Sequence, residues 1–141
     1  MKTLLLALAL ALVCVSWSGI AAEATTSADQ DNIQGVWLAQ TETHKGQTRA
    51  VDYRYVFRGN RVTFIDETGK EMRYTFTLDT TSSPRLIVIR EEGRADPKPV
   101  SVGYALNGDS LKIVVAPAGL RPTGISDEND QELILCKRLS R

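Results

Sequence analysis

From Tyr53 onward, apolar and polar residues alternate one by one. Tyr53, Tyr55 and Phe57 are interleaved with Arg54, Val56 and Arg58, then Val62 and Phe64 with Arg61, Thr63 and Ile65. Met72, Tyr74, Phe76 and Leu78 continue the pattern among Arg73, Thr75 and Thr77. Successive side chains leave a β-strand on opposite faces, so a period of two marks strands with one buried and one wet face. Gly59-Asn60 and Asn107-Gly108 are two-residue hairpin signals, and Thr68-Gly69 is a looser one. Further strands are predicted at Arg85 to Ile89, Pro99 to Leu106, Leu111 to Ala116 and Glu132 to Arg138, with Gly35 to Thr41 opening the set. No stretch sustains a helical period, and no repeat of about 20 to 50 residues recurs. Eight short antiparallel strands must hide their edges, and closure does this most simply. The predicted fold is all-β, an eight-stranded antiparallel up-and-down barrel, with a sandwich as the alternative.

The barrel does not start at residue 1. Met1-Lys2-Thr3 is a short positive start, Leu4 to Val15 is unbroken apolar sequence, and Ala22-Glu23-Ala24 is a small-x-small cleavage pattern. Together these predict a signal peptide over residues 1–24 and an exported protein, periplasmic or extracellular. The apolar core is shorter than the roughly 20 residues of a spanning helix, so contact with a membrane is expected only if the segment is retained as an anchor. Residues 25–32 are polar and unpatterned, which predicts a flexible tether, although Asp29 or Asp31 could cap one helical turn before Gly35. The domain then occupies residues 33–141. Removal of the signal takes Cys14 with it, leaving Cys136 without a disulfide partner, and its setting in Leu133-Ile134-Leu135 predicts a buried small hydrophobe.

Charge excludes several partner classes. Of 17 basic and 17 acidic residues, Lys2 and Glu23 leave with the signal, so 16 of each remain and no global field favours nucleic acid. Catalytic chemistry is poorly supplied. The single histidine, His44, sits in the polar stretch Thr41 to Gly46, which predicts an exposed loop. One His and one Cys cannot assemble the three or four ligands of a zinc site, and Asp127-Glu128-Asn129-Asp130 lacks the ligand spacing of a calcium loop. No nucleophile elbow, P-loop or dinucleotide fingerprint occurs. A noncatalytic protein without metal or cofactor is expected, and a monomer is its expected state.

The apolar faces are more informative. Trp37 and all seven Tyr and Phe residues, namely Tyr53, Tyr55, Phe57, Phe64, Tyr74, Phe76 and Tyr104, are predicted to point inward. An eight-stranded barrel has room either for a solid core or for one small ligand, so these residues are the candidate lining of a pocket if one exists. Buried tyrosine hydroxyls require partners, which a ligand or water could supply. Two segments are too long for plain hairpins, Glu91 to Lys98 and Pro117 to Gln131, and are candidate gates. Within the second, Arg121 is the candidate polar contact at the mouth, or else a brace for its own loop. On the other face, Arg54, Arg58, Arg61, Arg73, Arg85 and Arg90 predict a charged outer wall.

Several segments resemble one family in order. They are Ile33-Gln34-Gly35-Val36-Trp37, Phe57-Arg58-Gly59-Asn60-Arg61-Val62-Thr63, Tyr74 with Leu78-Asp79 and Pro84, and Gly103 to Ile113. Ala116-Pro117 with Gly119, Arg121-Pro122-Thr123 and Leu135-Cys136-Lys137-Arg138 complete the set. The chain thus resembles, over about residues 31 to 139, a bacterial family of small exported lipocalin-like domains of unknown function that is expanded in planctomycetes. Val114, Val88 and Ile125 depart from that pattern, so no thiol or acidic site is carried over. Gly35-x-Trp37 is also similar to the first-strand signature of lipocalins. That likeness implies that Trp37 plugs one barrel end and that Arg138, from the last strand, covers it. Two functions from different classes are expected: binding of a small apolar or amphipathic ligand inside the barrel, or a cell-envelope interaction module with a solid core that contacts a protein or polymer through loops or outer wall.

Overall fold

The computed structural model describes residues 26–141. The expected signal peptide lies outside these residues. Eight strands come one after another: β1 (Gly35–His44), β2 (Gln47–Arg58), β3 (Arg61–Ile65), β4 (Glu71–Asp79), β5 (Arg85–Glu91), β6 (Val100–Asn107), β7 (Ser110–Val115) and β8 (Glu132–Ser140). Each pairs antiparallel with the next, and β8 returns to β1, closing an up-and-down barrel. Closure leaves no bare sheet edge.

β1 and β2 are longer than their alternation suggests. Thr41 to His44 pair with Gln47 to Ala50 across a turn in which Lys45 and Gly46 both have positive φ. Such a turn matches the twist of the strands it joins. His44 therefore ends a strand at the barrel rim and does not lie in a loop. Thr41 to His44 and Gln47 to Ala50 are polar on almost every position, so the ladder forms without any apolar alternation to announce it.

Residues 26–32 correct the expectation of a flexible tether, because they form a short helix, α1, across one end of the barrel. Two inward-facing groups hold it there. Ile33, just after the helix, is fully buried, and the Asp29 carboxylate accepts hydrogen bonds from Tyr104 Oη and Arg85 Nη1, both 2.6 Å long. Tyr104 and Arg85 face each other across β5 and β6. Burial, then the bond to Asp29, pushes the Tyr104 phenol well above its ordinary value. Asp29→Ala would leave that hydroxyl buried without its acceptor. A loss of about 1 to 3 kcal/mol is expected, read as a lower urea midpoint with an unchanged m-value.

Trp37 lies beneath α1 and is fully buried, its indole Nε1 donating to Ile33 O at 2.8 Å. The Arg138 guanidinium stacks over it, 4.1 Å from the ring centroid. Arg138 is fixed in turn by the carbonyls of Gln34 and Asn32 and by the Asp109 carboxylate. Below this plug the interior is filled by Phe57, Phe76, Tyr104, Leu111, Ile134 and Cys136. Phe57 and Phe76 meet edge to face, with centroids 5.2 Å apart. This is the closed end.

The segment between β7 and β8 does not gate the open end. It folds back along the outer wall, where Pro122 and Ile125 cover Gly103 on the outward face of β6. A Cβ at Gly103 would stand 3.2 Å from both Pro122 and Pro84, so glycine lets the strap lie flat. Leu86 and Val114, the outward-facing register partners of Gly103, are buried there. Gln131 is buried at the strap's end. Its Oε1 accepts from Thr123 N at 2.7 Å, and its Nε2 donates to Ser126 O at 3.1 Å. The strap thereby satisfies its own backbone, as a buried loop must.

Candidate functional site

Above the solid core, the barrel encloses an apolar cavity of about 220 Å³. It is lined by Tyr55, Phe57, Val62, Phe64, Tyr74, Ile87, Ile89, Val100, Val102, Ile113 and Val115. Val100 begins β6 and is more than half exposed, so the cavity reaches the open end at its rim. The aromatic residues divide between two levels. Tyr55, Phe57, Phe64 and Tyr74 line the cavity, whereas Trp37, Phe76 and Tyr104 belong to the packing beneath it. Tyr53 stands at the mouth, with its ring 5.1 Å from Phe64 and 5.9 Å from Tyr55. Burial raises the Tyr53 and Tyr55 phenols well above their ordinary value. Arg121 is not brought to the cavity. It lies on the outer strap with Nη2 3.9 Å from Asp79 Oδ2, at the closed end. Asp79 braces its own loop there, and hydrogen bonds from Thr81 and Ser82 hold its carboxyl down at about 2.

A β-bulge shapes the polar side of the mouth. Trp37 and Ala39 point inward, and strict alternation would next place Thr41 and Thr43 inward. The register instead shifts between Ala39 and Thr41 on both sides of β1. After the shift, Glu42 lies between Arg49 and Ile134, and His44 lies between Gln47 and Glu132. Ile134 belongs to the interior core, so this side of β1 now aims Glu42 into the barrel. One extra residue in a strand re-aims the side chains beyond it.

Glu42 is 8% exposed. Its Oε2 accepts from Arg49 Nη2 at 2.6 Å, and its carboxyl shares a hydrogen bond with that of Glu132. Burial, then the bond to Glu42 and its charge, pushes the Glu132 carboxyl up to about 7. The bond from Glu132 holds Glu42 below its ordinary value, with Arg49 adding to the effect against burial. Of the two carboxyls, Glu132 is therefore the one that takes up a proton more readily. Glu132 is also the register partner of Val115 in the cavity wall, and its charge acts on Tyr55, which lines the same wall. The apolar chamber and the carboxyl pair are thus adjacent levels of one interior.

The sequence pattern points to the aromatic part of this lining but passes over Glu42, Arg49 and Glu132. Only the bulge brings Glu42 inward, and nothing in the residue types around Gln40 announces one. Among the described residues no group of three or more His, Cys, Asp or Glu is placed to hold a metal ion, and no helix is long and apolar enough to cross a membrane. Comparison of the chain with protein-family models, curated proteins and solved structures returned no match.

Proposed function

We propose that this protein is an exported, noncatalytic lipocalin-like carrier that holds one small apolar or amphipathic molecule inside its barrel. The observation that carries the reading is the apolar cavity of about 220 Å³ above a plugged base. Its size sets the scale of the ligand. A dry protein cavity of about 150 Å³ accommodates benzene, so in proportion this one suits about nine non-hydrogen atoms, a single ring with a short tail. Apolar lining supplies affinity without direction, and the polar mouth supplies orientation. Export rests on the signal pattern of residues 1–24, and the noncatalytic reading rests on a chamber whose lining is apolar.

Filling the chamber tests the reading. A fluorescent apolar probe should saturate at about one per barrel, and Val102→Phe should weaken it at least about tenfold while the far-UV spectrum is kept, because the added ring occupies existing space. Saturable binding that survives Val102→Phe would place the probe elsewhere. No saturable binding by the wild type would favour the envelope interaction module in its stead.

A further inference from the structure

Resting on that carrier reading, we infer that the preferred ligand is a small apolar amine, with its body in the cavity and its ammonium held by the Glu42 and Glu132 carboxylates at the mouth.

The charge balance of the mouth leads there. Two carboxyls lie side by side on the inner face, and a single side chain, Arg49, forms an ion pair with one of them. Arg49 is largely exposed, whereas Glu42 is largely buried, so the guanidinium approaches from the solvent side, and among the described residues no other ion pair reaches either carboxyl. When Glu132 is protonated, that proton balances the second carboxyl. An ammonium group offers the same charge with three donors, enough to bond both carboxylates. Exchange of proton for ammonium leaves the net charge of the mouth unchanged, which avoids the cost of an unpaired buried charge. A carboxylate ligand would meet Glu42 directly, and a neutral hydroxyl would gain one hydrogen bond at most. The bulge in β1 belongs to the same argument. It sets Glu42 inward where the alternation would have set threonine, opposite Ile134 and so beside Glu132, the register partner of Val115 in the cavity wall.

Because ammonium replaces a proton, binding should depend on pH. The groups facing Glu132 are Glu42 and His44 from β1, Arg49, Tyr53 and Tyr55 from β2, and Cys136 from its own strand, while Glu67 acts on Arg49 from the loop after β3. Burial raises Cys136 to about 12 and holds the tyrosines higher still, so these three stay neutral across the range of interest. Glu132, at about 7, is then the group whose proton must leave. The amine should bind with full affinity above that pH and lose about tenfold per unit below it.

Titration calorimetry with 2-phenylethylamine, 2-phenylethanol and phenylacetate at pH 6 and pH 8 separates the possibilities. At pH 8 the amine should bind at least about tenfold tighter than the alcohol, with phenylacetate weakest. From pH 8 to pH 6 the amine should weaken about tenfold and the alcohol stay level. Titrations in buffers of different ionisation enthalpy should show release of close to one proton per amine at pH 6 and none with the alcohol. Glu132→Gln should remove both the amine preference and its pH dependence while alcohol binding, which reports an intact chamber, persists. His44→Asn should leave the pH profile in place. Equal affinity for amine and alcohol, or amine binding at pH 6 without proton release, overturns the inference and leaves the carrier reading standing. The proton count is taken on the wild type, so it decides even if Glu132→Gln does not fold. If none of the three compounds binds, the carrier reading falls and this inference falls with it.

Discussion

Trp37→Ala should lower the unfolding free energy by about 3 to 5 kcal/mol, the range for deletion of a buried tryptophan ring from a packed core. Three contacts are lost together. The indole is fully buried, its N–H satisfies the Ile33 carbonyl, and its face carries the Arg138 guanidinium. The cavity left behind would lie under α1 and against strands tied on both sides, so collapse can recover little. For a domain whose total stability is about 5 to 15 kcal/mol, this is a large share. Urea unfolding followed by circular dichroism measures it, and a midpoint equal to the wild type would refute the role of Trp37 as a plug.

Gly35→Ala should be the next most costly change, at about 2 to 4 kcal/mol. Gly35 opens β1 with φ at 120°, a conformation side chains rarely adopt, and a Cβ there would overlap the carbonyl oxygen of Ser140 in the facing strand. Both nearest obstacles are backbone, so rotation of a side chain cannot relieve them. The first and last strands would have to part where Arg138 joins them. Thermal unfolding reads the loss. Probe binding by the folded fraction should be unchanged, because Gly35 sits at the closed end, away from the cavity. A variant as stable as the wild type would show that the β1–β8 junction yields more readily than its geometry indicates.

How much of this is legible in the chain depends on which physical signal each part leaves. The eight strands are readable because half-burial imposes a period of two on residue type, and the turns are readable because positive φ selects Gly and Asn. The pairing of Trp37 with Arg138 is readable from a local signature and a terminal arginine. By contrast, α1 carries no apolar stripe, since Asp29 is its one buried residue, and an aspartate that enters a core to meet Arg85 and Tyr104 resembles any solvated aspartate in sequence. The strap from Pro117 to Gln131 reads as an open loop because its burial depends on the outward faces of Leu86 and Val114, which strict alternation assigns to solvent. Glu42 and Glu132 lie 90 positions apart in the numbering and meet only through the closing of the barrel and the bulge. Distant polar pairs of this kind leave no periodic trace.

The seam between β1 and β8 also governs when the fold can appear. The contact from Arg138 to the Gln34 carbonyl spans 104 positions, nearly the whole described chain. A nascent chain lacking β8 holds a curled sheet with two bare edges, and neither the plug nor the carboxyl pair exists until the last strand arrives. Closure of so distant a contact before its reward is slow, as in other folds rich in non-local pairing. The barrel is therefore expected to form only after β8 has been made, in one late step that assembles its base and its mouth together.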